Sequence, residues 1–333
     1  MKTAIGTHSA RLPVMLLSNN QKKILKDNME SWHSLSTLIH IHVYYTHLWP
    51  ELRACVERAE ALVLRFRLFV TTAGEKPEIA AEVAERWPEA EVSVVPNRGY
   101  DIAPFLEVLS SVRLADFSYI IKLHTKRDVE QARVILCTAA AVNMKGSRWR
   151  DALLAFTRPE NFEKVLQTLE SKPQLGMVAH HLVICPKVSE KDKEQFKTWQ
   201  KAVEMVKTLG LPEPPNSHFV MGSMFICRAE LLKPLQRLGL TTEDFPPPDP
   251  EHLEETIAHV IERLLGAVVT AQGYEIRDCF SPRKEYIREA IEVLLQRIGH
   301  FLFSRKVTSS GKLIIKICKI PVWHGRGRAN ARD

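Results

Sequence analysis

The sequence predicts an α/β protein: a mostly parallel sheet flanked by helices, followed by a basic helical extension. Three observations predict it. Short β-type runs alternate with helix-length periodic segments between residues 42 and 123, the pattern of successive βαβ units. Apolar residues make up 45% and charged residues 26% of the 333-residue chain, as in ordinary globular proteins. The net charge of +7 is uneven: residues 280–333 hold 12 Lys/Arg against 4 Asp/Glu, while the remainder holds 34 against 35. A near-neutral body with a basic tail follows.

Residues 1–35 form a polar N-terminal segment, poorly periodic apart from Val14-Met15-Leu16-Leu17. His42-Val43-Tyr44-Tyr45 reads as a first core strand. Trp49 to Leu62 reads as a helix, because Leu52, Val56 and Ala59 fall on one stripe. Leu64 to Val70 is the next strand, ending at Thr71-Thr72, and Pro77 to Trp87 a second helix. Glu91 to Val95 is a third strand closing on an Asn-Arg-Gly turn, Ile102 to Leu109 a helix, and Tyr119 to Leu123 a fourth strand. The middle is more helical, with Trp149 to Phe156 and Pro159 to Leu169, then a strand at Leu175 to Ala179 and a long charged helix from Glu190 to Leu209. Pro212-Glu213-Pro214-Pro215 breaks that helix before a strand at Phe219 to Cys227. Leu253 to Leu265 reads as a helix and Ala267 to Thr270 as a short strand. Ile287 to Phe303 carries Ile287, Ala290, Ile291, Leu294, Leu295, Ile298 and Leu302 on one helical face.

Several classes lack their signatures. The six cysteines (Cys55, Cys137, Cys185, Cys227, Cys279, Cys318) make no C-x-x-C pair and no compact framework, so reduced thiols in a cytoplasmic protein are expected. No secretion signal and no apolar run of about 18 residues is read. P-loop, dinucleotide and esterase fingerprints are missing. His40, His42, His180 and His181 show no metal-ligand spacing and read as structural or surface residues.

Two segments carry chemistry. Asn97-Arg98-Gly99-Tyr100-Asp101 is a tight glycine turn bearing an amide, a guanidinium and a carboxylate; Tyr119 to Lys126 is a buried-type strand that runs straight into His124-Thr125-Lys126. Open α/β sheets place ligands at the C-terminal ends of their strands. Arg, Lys and His gathered there suit an anion, most simply a phosphate. Downstream, Gly222-Ser223 sits in an apolar strand, where glycine allows close approach to a ligand and serine can bond a sugar hydroxyl.

The order of these blocks resembles the nucleotide-sugar half of GT-A glycosyltransferases, with His124-Thr125-Lys126 where that fold usually has a metal-holding Asp-x-Asp. More specifically, the chain resembles the rhamnan synthesis protein F family of bacterial polysaccharide glycosyltransferases. The matching segments are His42-Val43-Tyr44-Tyr45 with Leu48-Trp49, Asn97 to Phe105, Lys122 to Lys126, Trp149, Gly222-Ser223-Met224-Phe225, and Ala258 to Arg263. In order they cover roughly residues 40–270. The resemblance implies a GT-A-like (Rossmann-like) domain over 36–279, with a donor half at about 36–130 and an acceptor half at about 145–279. It implies transfer of a sugar, first L-rhamnose from dTDP-rhamnose, to a growing cell-surface polysaccharide such as O-antigen or rhamnan. The family often has Asp-Gly-Thr before its Ala-His-x-Ile-Glu-Arg block; here the chain reads Glu254-Glu255-Thr256.

Inverting transfer needs a carboxylate to take the acceptor's proton. Glu254, at the position of the family's Asp, is the first candidate and Glu255 the second. Asn97, Arg98, Gly99, Asp101, His124 and Lys126 are the expected donor-binding residues; Arg98, His124 and Lys126 would neutralise the diphosphate and Asp101 would hold the nucleotide or sugar. Gly222, Ser223, His259, Glu262 and Arg263 are the expected acceptor or sugar contacts. No cofactor is required by this scheme. A divalent Mg or Mn held by His124 with Asp128 or Asp101 is an alternative, and a non-catalytic nucleotide-sugar-binding or scaffold protein is a rival from another class. The expected partners are a nucleotide sugar, a lipid-linked glycan and, through residues 280–333, the anionic inner face of the cytoplasmic membrane. No nucleic acid is expected, since aromatic residues are not interleaved with the basic ones.

Overall fold

The structure is a computed structural model that describes residues 35–62, 65–128, 133–136, 140–143, 146–185, 187–188, 190, 193–247, 256–307, 312–318 and 320–326. The first half runs β1 (Ser36–Val43), α1 (Trp49–Ala61), β2 (Arg65–Ala73), α2 (Pro77–Arg86), β3 (Glu91–Val95), α3 (Ile102–Ser111) and β4 (Tyr119–His124). A small hairpin of β5 (Arg133–Leu136) and β6 (Ala140–Asn143) precedes α4 (Arg148–Leu154), α5 (Pro159–Ser171) and β7 (Leu175–Val178). Then come β8 (Ile184–Cys185), α6 (Lys193–Thr208), β9 (Phe219–Val220), β10 (Phe225–Arg228), α7 (Ile257–Ala271) and β11 (Glu275–Arg277). The chain continues through α8 (Arg283–Leu302) into β12 (Phe303–Val307), β13 (Lys312–Ile317) and β14 (Ile320–Arg326).

Seven strands form the central sheet in the order β11-β7-β10-β4-β1-β2-β3. β4, β1, β2 and β3 are mutually parallel, as are β11 and β7, while β10 is antiparallel to both neighbours. The α/β class with a mostly parallel sheet is therefore the observed one. Six strands deliver their C-terminal ends to one edge. Because β10 runs the other way, its N-terminal lead-in, Gly222-Ser223, reaches that same edge. β4 is buried along its whole length and β1 over all but its first residue, as expected of strands covered on both faces.

Four expectations about elements change. Ala267 to Thr270 is not a strand but the last turns of α7. A helix buried nearly all round reads as an unbroken apolar run, which periodicity cannot separate from a core strand. The strand expected at Phe219 to Cys227 is split into β9 and β10, because Gly222 and Ser223 both adopt left-handed backbone (φ 80° and 49°) that no strand accommodates. The first strand begins at Ser36 and ends at Val43, so Tyr44 and Tyr45 lie on the loop beyond it. β8, β11, the β5–β6 hairpin and β12 to β14 are elements for which no strand was expected, so the extension expected to be helical is α8 followed by a three-stranded sheet. The helix expected from Leu253 is described from Ile257 onward. Residues 1–34, with the Val14-Met15-Leu16-Leu17 run, lie outside the described residues, as do 248–255.

α7 approaches the short strand β9 closely at Gly266. A Cβ there would lie 2.4 Å from the His218 carbonyl oxygen and 2.5 Å from Phe219 Cα, so only glycine fits without moving backbone. That close seat sets where the first turn of α7, with His259, Glu262 and Arg263, meets the sheet edge.

Candidate functional site

The two motif regions meet at the C-terminal edge of the sheet through two left-handed turns. In the first, Gly99 (φ 63°) and Tyr100 (φ 55°) turn the chain from β3 into α3. The Gly99 carbonyl accepts the first helical N–H groups, from Ile102 and Ala103, and a Cβ on Gly99 would strike the Phe245 ring at 2.5 Å. Asp101 occupies the N-cap of α3, yet its side chain does not cap the helix. The carboxylate turns to the sheet instead. In the second, Gly222 and Ser223 reverse the chain between β9 and β10, with Ser223 N–H donating to the Val220 carbonyl at 3.1 Å.

Between the turns lies a buried polar junction. Asp101 Oδ2 accepts from Lys122 Nζ and, at 2.5 Å, from Ser223 Oγ, which itself accepts from Lys122 Nζ at 2.8 Å. Lys122 has no solvent exposure. His124 Nε2 donates to the Gly222 carbonyl at 2.8 Å, and Gly222 N–H donates to Glu262 Oε1 at 2.6 Å. Arg263 Nη1 donates to the other Glu262 oxygen at 3.3 Å and to the His259 carbonyl at 2.8 Å. The His259 ring lies edge-on to Tyr100, 6.0 Å away, with its Nδ1 2.9 Å from Thr256 Oγ1. Asp101, His124, Gly222, Ser223, His259, Glu262 and Arg263, drawn from both expected halves, are thus brought together.

A second polar layer backs the first. The β1–β4 register pairs His40 with Lys122 and His42 with His124. The Thr71 hydroxyl on β2 lies 3.0 Å from both His40 Nε2 and His42 Nδ1. His40 and His42 are therefore parts of the site's floor, where the sequence placed them only as structural or surface residues. Thr125, inside the His124-Thr125-Lys126 motif, has a definite task. Its hydroxyl accepts from Tyr44 N–H (2.9 Å) and Tyr45 N–H (3.0 Å), pinning the loop after β1 to the tip of β4. The signal that would have found this layer was present: histidine at i and i+2 in β1, and Lys122 two residues before His124 in β4, put polar groups on one face of two core strands.

Charges in the junction are strongly perturbed. Burial, with the positive field of Lys122, His42 and the His124 ring opposed only by Asp101, holds the His40 imidazole well below its ordinary range. Burial likewise lowers His42 and His124 to about 4 each, against the pull of Asp101, so both rings are neutral near pH 7. Burial alone would raise the Asp101 carboxyl. The His124 ring, the Lys122 ammonium and hydrogen bonds from Lys122 and Ser223 outweigh it and hold Asp101 well below the usual carboxylate range. Lys122 is lowered by burial in spite of Asp101. The junction is a buried ion pair braced by neutral imidazoles.

Of the remaining expected residues, Gly99 is buried in its turn, and Asn97, Arg98 and Lys126 reach solvent. Asn97 is exposed; Arg98 is part-exposed and pairs with Glu243 at 2.6 Å. Lys126 is also part-exposed, and its carbonyl accepts from Arg150 Nη1 at 3.2 Å. Glu254 and Glu255 lie outside the described residues. The residues named for a divalent ion do not fit one. Asp101 is neutralised by Lys122 and engaged by Ser223, both His124 nitrogens face carbonyl oxygens, and Asp128 is paired with Arg150. A hard divalent cation wants several free oxygen ligands and no ammonium beside them.

Comparison with known proteins adds the following. The family model described as rhamnan synthesis protein F matches residues 3–274. Two curated relatives, both described as uncharacterized protein WxcX, come from Xanthomonas campestris pv. campestris strains B100 and ATCC 33913. Each is 29% identical over 251 residues, covering 73% of this chain and 32% of the relative. The chain thus spans about one third of the length of these relatives. Among solved structures, the mannosyltransferase PcManGT from Pyrobaculum calidifontis, in complex with GDP-Man and Mn2+, is similar at 13% identity and a TM-score of 0.36, over 85% of this chain and 71% of that one. Glucosyl-3-phosphoglycerate synthase from Mycobacterium tuberculosis, in complex with Mn2+, UDP and phosphoglyceric acid, is similar at 11% identity and a TM-score of 0.34, over 90% and 93%. At those scores neither structure bears on ligands or chemistry here.

Proposed function

Since the chain belongs to the rhamnan synthesis protein F family, we propose that it is a glycosyltransferase that moves a sugar from a nucleotide sugar to a lipid-linked, growing cell-surface polysaccharide. The donor is dTDP-L-rhamnose in the first instance, and the displacement is inverting. The acceptor hydroxyl oxygen attacks the anomeric carbon and the bond from that carbon to the diphosphate oxygen breaks. The proton passes to Glu254, or to Glu255 if Glu254 is not the base, and the nucleoside diphosphate leaves.

The observation that carries this reading is the junction at the sheet edge. Hydrogen bonds join Asp101, Lys122 and Ser223, and the adjacent Gly222 N–H donates to Glu262, so the expected donor segment is tied to the expected acceptor segment. Such a seam fixes the relative position of two substrates, which is where much of the rate of a two-substrate transfer comes from. In this scheme Asp101, Lys122 and His124 hold the floor rigid. The solvent-facing Arg98 and Lys126 meet the diphosphate and stabilise its charge as it departs. Glu243, now paired with Arg98 and itself well exposed, would give way to the donor. No step runs through a metal. The chain would work at the cytoplasmic face of the membrane, with residues 280–333 in peripheral contact.

Donor binding by calorimetry tests the assignment. Lys126→Ala and Arg98→Ala should each weaken binding of the cognate nucleotide sugar at least tenfold without changing the melting temperature by more than a degree or two. Unchanged affinity in both would remove the diphosphate assignment. Binding without turnover, indifferent to Glu254→Gln and Glu255→Gln when acceptor is present, would identify a nucleotide-sugar-binding or scaffold protein instead.

A further inference from the structure

α8 is mounted with its acidic side inward and its apolar side outward. Glu285 and Glu292, at i and i+7, share one face. Glu292 makes a two-pronged pair with Arg148 of α4 (2.8 and 2.9 Å), and Glu285 Oε1 lies 3.5 Å from His180 Nε2. Tyr286 stacks on His181 at 3.9 Å between ring centroids. His181 is itself held from the body: its ring Nδ1 and backbone N–H both donate to Asp278 Oδ2, at 2.7 and 3.0 Å. The other Asp278 oxygen accepts the Phe280 and Ser281 N–H groups, and His180 Nδ1 accepts from Leu182 N–H. The His180-His181-Asp278 cluster, close enough to suggest a metal site, is thus used up in clamping the first turn of α8 to the ends of β7 and β11.

With that face fixed on the body, the opposite one must point away. Ile287, Ile291, Leu294, Leu295, Ile298 and Leu302 recur at helical spacing and are each 45% or more exposed. The adjoining three-stranded sheet adds Ile317 and Ile320, 49% and 65% exposed, on either side of its last turn. The strands of that sheet are also rich in basic residues, with Arg305, Lys306, Lys312, Lys316 and Arg326 in their sequence. No helix among the described residues is long and apolar enough to cross a membrane.

We propose that this outward stripe and the basic strands beside it form a docking surface for an anionic lipid bilayer, α8 lying in the plane of the interface. A bilayer supplies both things the surface lacks, an apolar layer and negative charge above it. A second copy of the chain supplies only the first. Residues 280–333 carry a net charge of +8, so two such surfaces repel, and Glu285 and Glu292, which could have paired with a copy's lysines, are committed to the body. The inference rests on the peripheral contact in the function proposed above and deepens it by showing which face of α8 the body holds and which is left for lipid. Its test uses neither donor nor acceptor, so the two can fail separately.

The test is flotation of the full chain with vesicles of phosphatidylcholine alone and of phosphatidylcholine with 30% phosphatidylglycerol, at low and high salt, alongside light scattering for mass. The expected result is binding to the anionic vesicles only, weakened by salt, and reduced at least tenfold by Ile291→Asp with Leu295→Asp at an unchanged melting temperature. Lys312→Glu with Lys316→Glu should weaken binding to a similar degree. Failure to float with anionic vesicles, or equal binding to both kinds, overturns the proposal. So does a dimer in solution that Ile291→Asp with Leu295→Asp converts to monomer while vesicle binding stays absent, which would assign the stripe to a second copy.

Discussion

Lys122 carries a large electrostatic cost, because its ammonium is buried without solvent exposure and relies on Asp101 and Ser223. Removing one member of such a pair leaves the other charge buried and uncompensated, which typically costs about 3–5 kcal/mol, whereas removing both often costs far less. Lys122→Met is therefore predicted to destabilise the fold by about that amount in denaturant unfolding. The double variant Lys122→Met with Asp101→Leu should recover part of it, with a coupling of about 1–3 kcal/mol. Additive effects of the two single changes would mean that the pair is not the unit described. Ser223 belongs to the same unit. It accepts a left-handed backbone that disfavours any side chain, at roughly 1–2 kcal/mol, and uses that conformation to bring its hydroxyl between Asp101 and Lys122. Strain of this kind held beside a ligand edge is characteristic of functional turns.

Among the elements, β1, β2 and β4 share a layer of His40, His42, Thr71, Lys122 and His124 under α3, and this layer makes stability depend on pH. His42 and His124 titrate near 4 in the fold and near 6.5 when unfolded, so between those values the unfolded chain binds protons the folded one does not. Stability should be complete above about pH 6.5 and fall as pH drops toward 4, by up to about 1.4 kcal/mol per pH unit for each histidine. Melting temperatures measured from pH 7.5 to 4.5 should decline through that window, and the decline should be shallower in His42→Gln. A flat profile would contradict the buried neutral histidines. The alternation of strands and helices that gives β1 through β4 was legible because each is a short apolar run bounded by turn residues, and a parallel sheet forces that pattern. The end of α7 was misread because an all-round apolar run has no period. The break between β9 and β10 was missed because Gly222 and Ser223 look like strand residues until their backbone angles are known. Within the site, the sequence named most of the residues but not their burial. Asp101 and His124 look like ligand groups in a string; only the folded turns beside the strands show them facing Lys122 and Gly222.

At the scale of the whole molecule two features remain: a buried polar seam joining the turn at Asp101 to Gly222, Ser223 and Glu262, and a C-terminal helix turned apolar side outward. The chain spans about one third of its curated relatives' length. In the function proposed above, the seam holds donor and acceptor against each other. That function is tested most directly by incubating the purified chain with a panel of nucleotide sugars and a lipid-linked glycan, with and without EDTA, and measuring nucleotide release and sugar incorporation. Release from one donor, dTDP-L-rhamnose first, is expected with matching incorporation, loss in Glu254→Gln or Glu255→Gln, and persistence in EDTA. Tight donor binding with no release from any member of the panel in the presence of acceptor would contradict it.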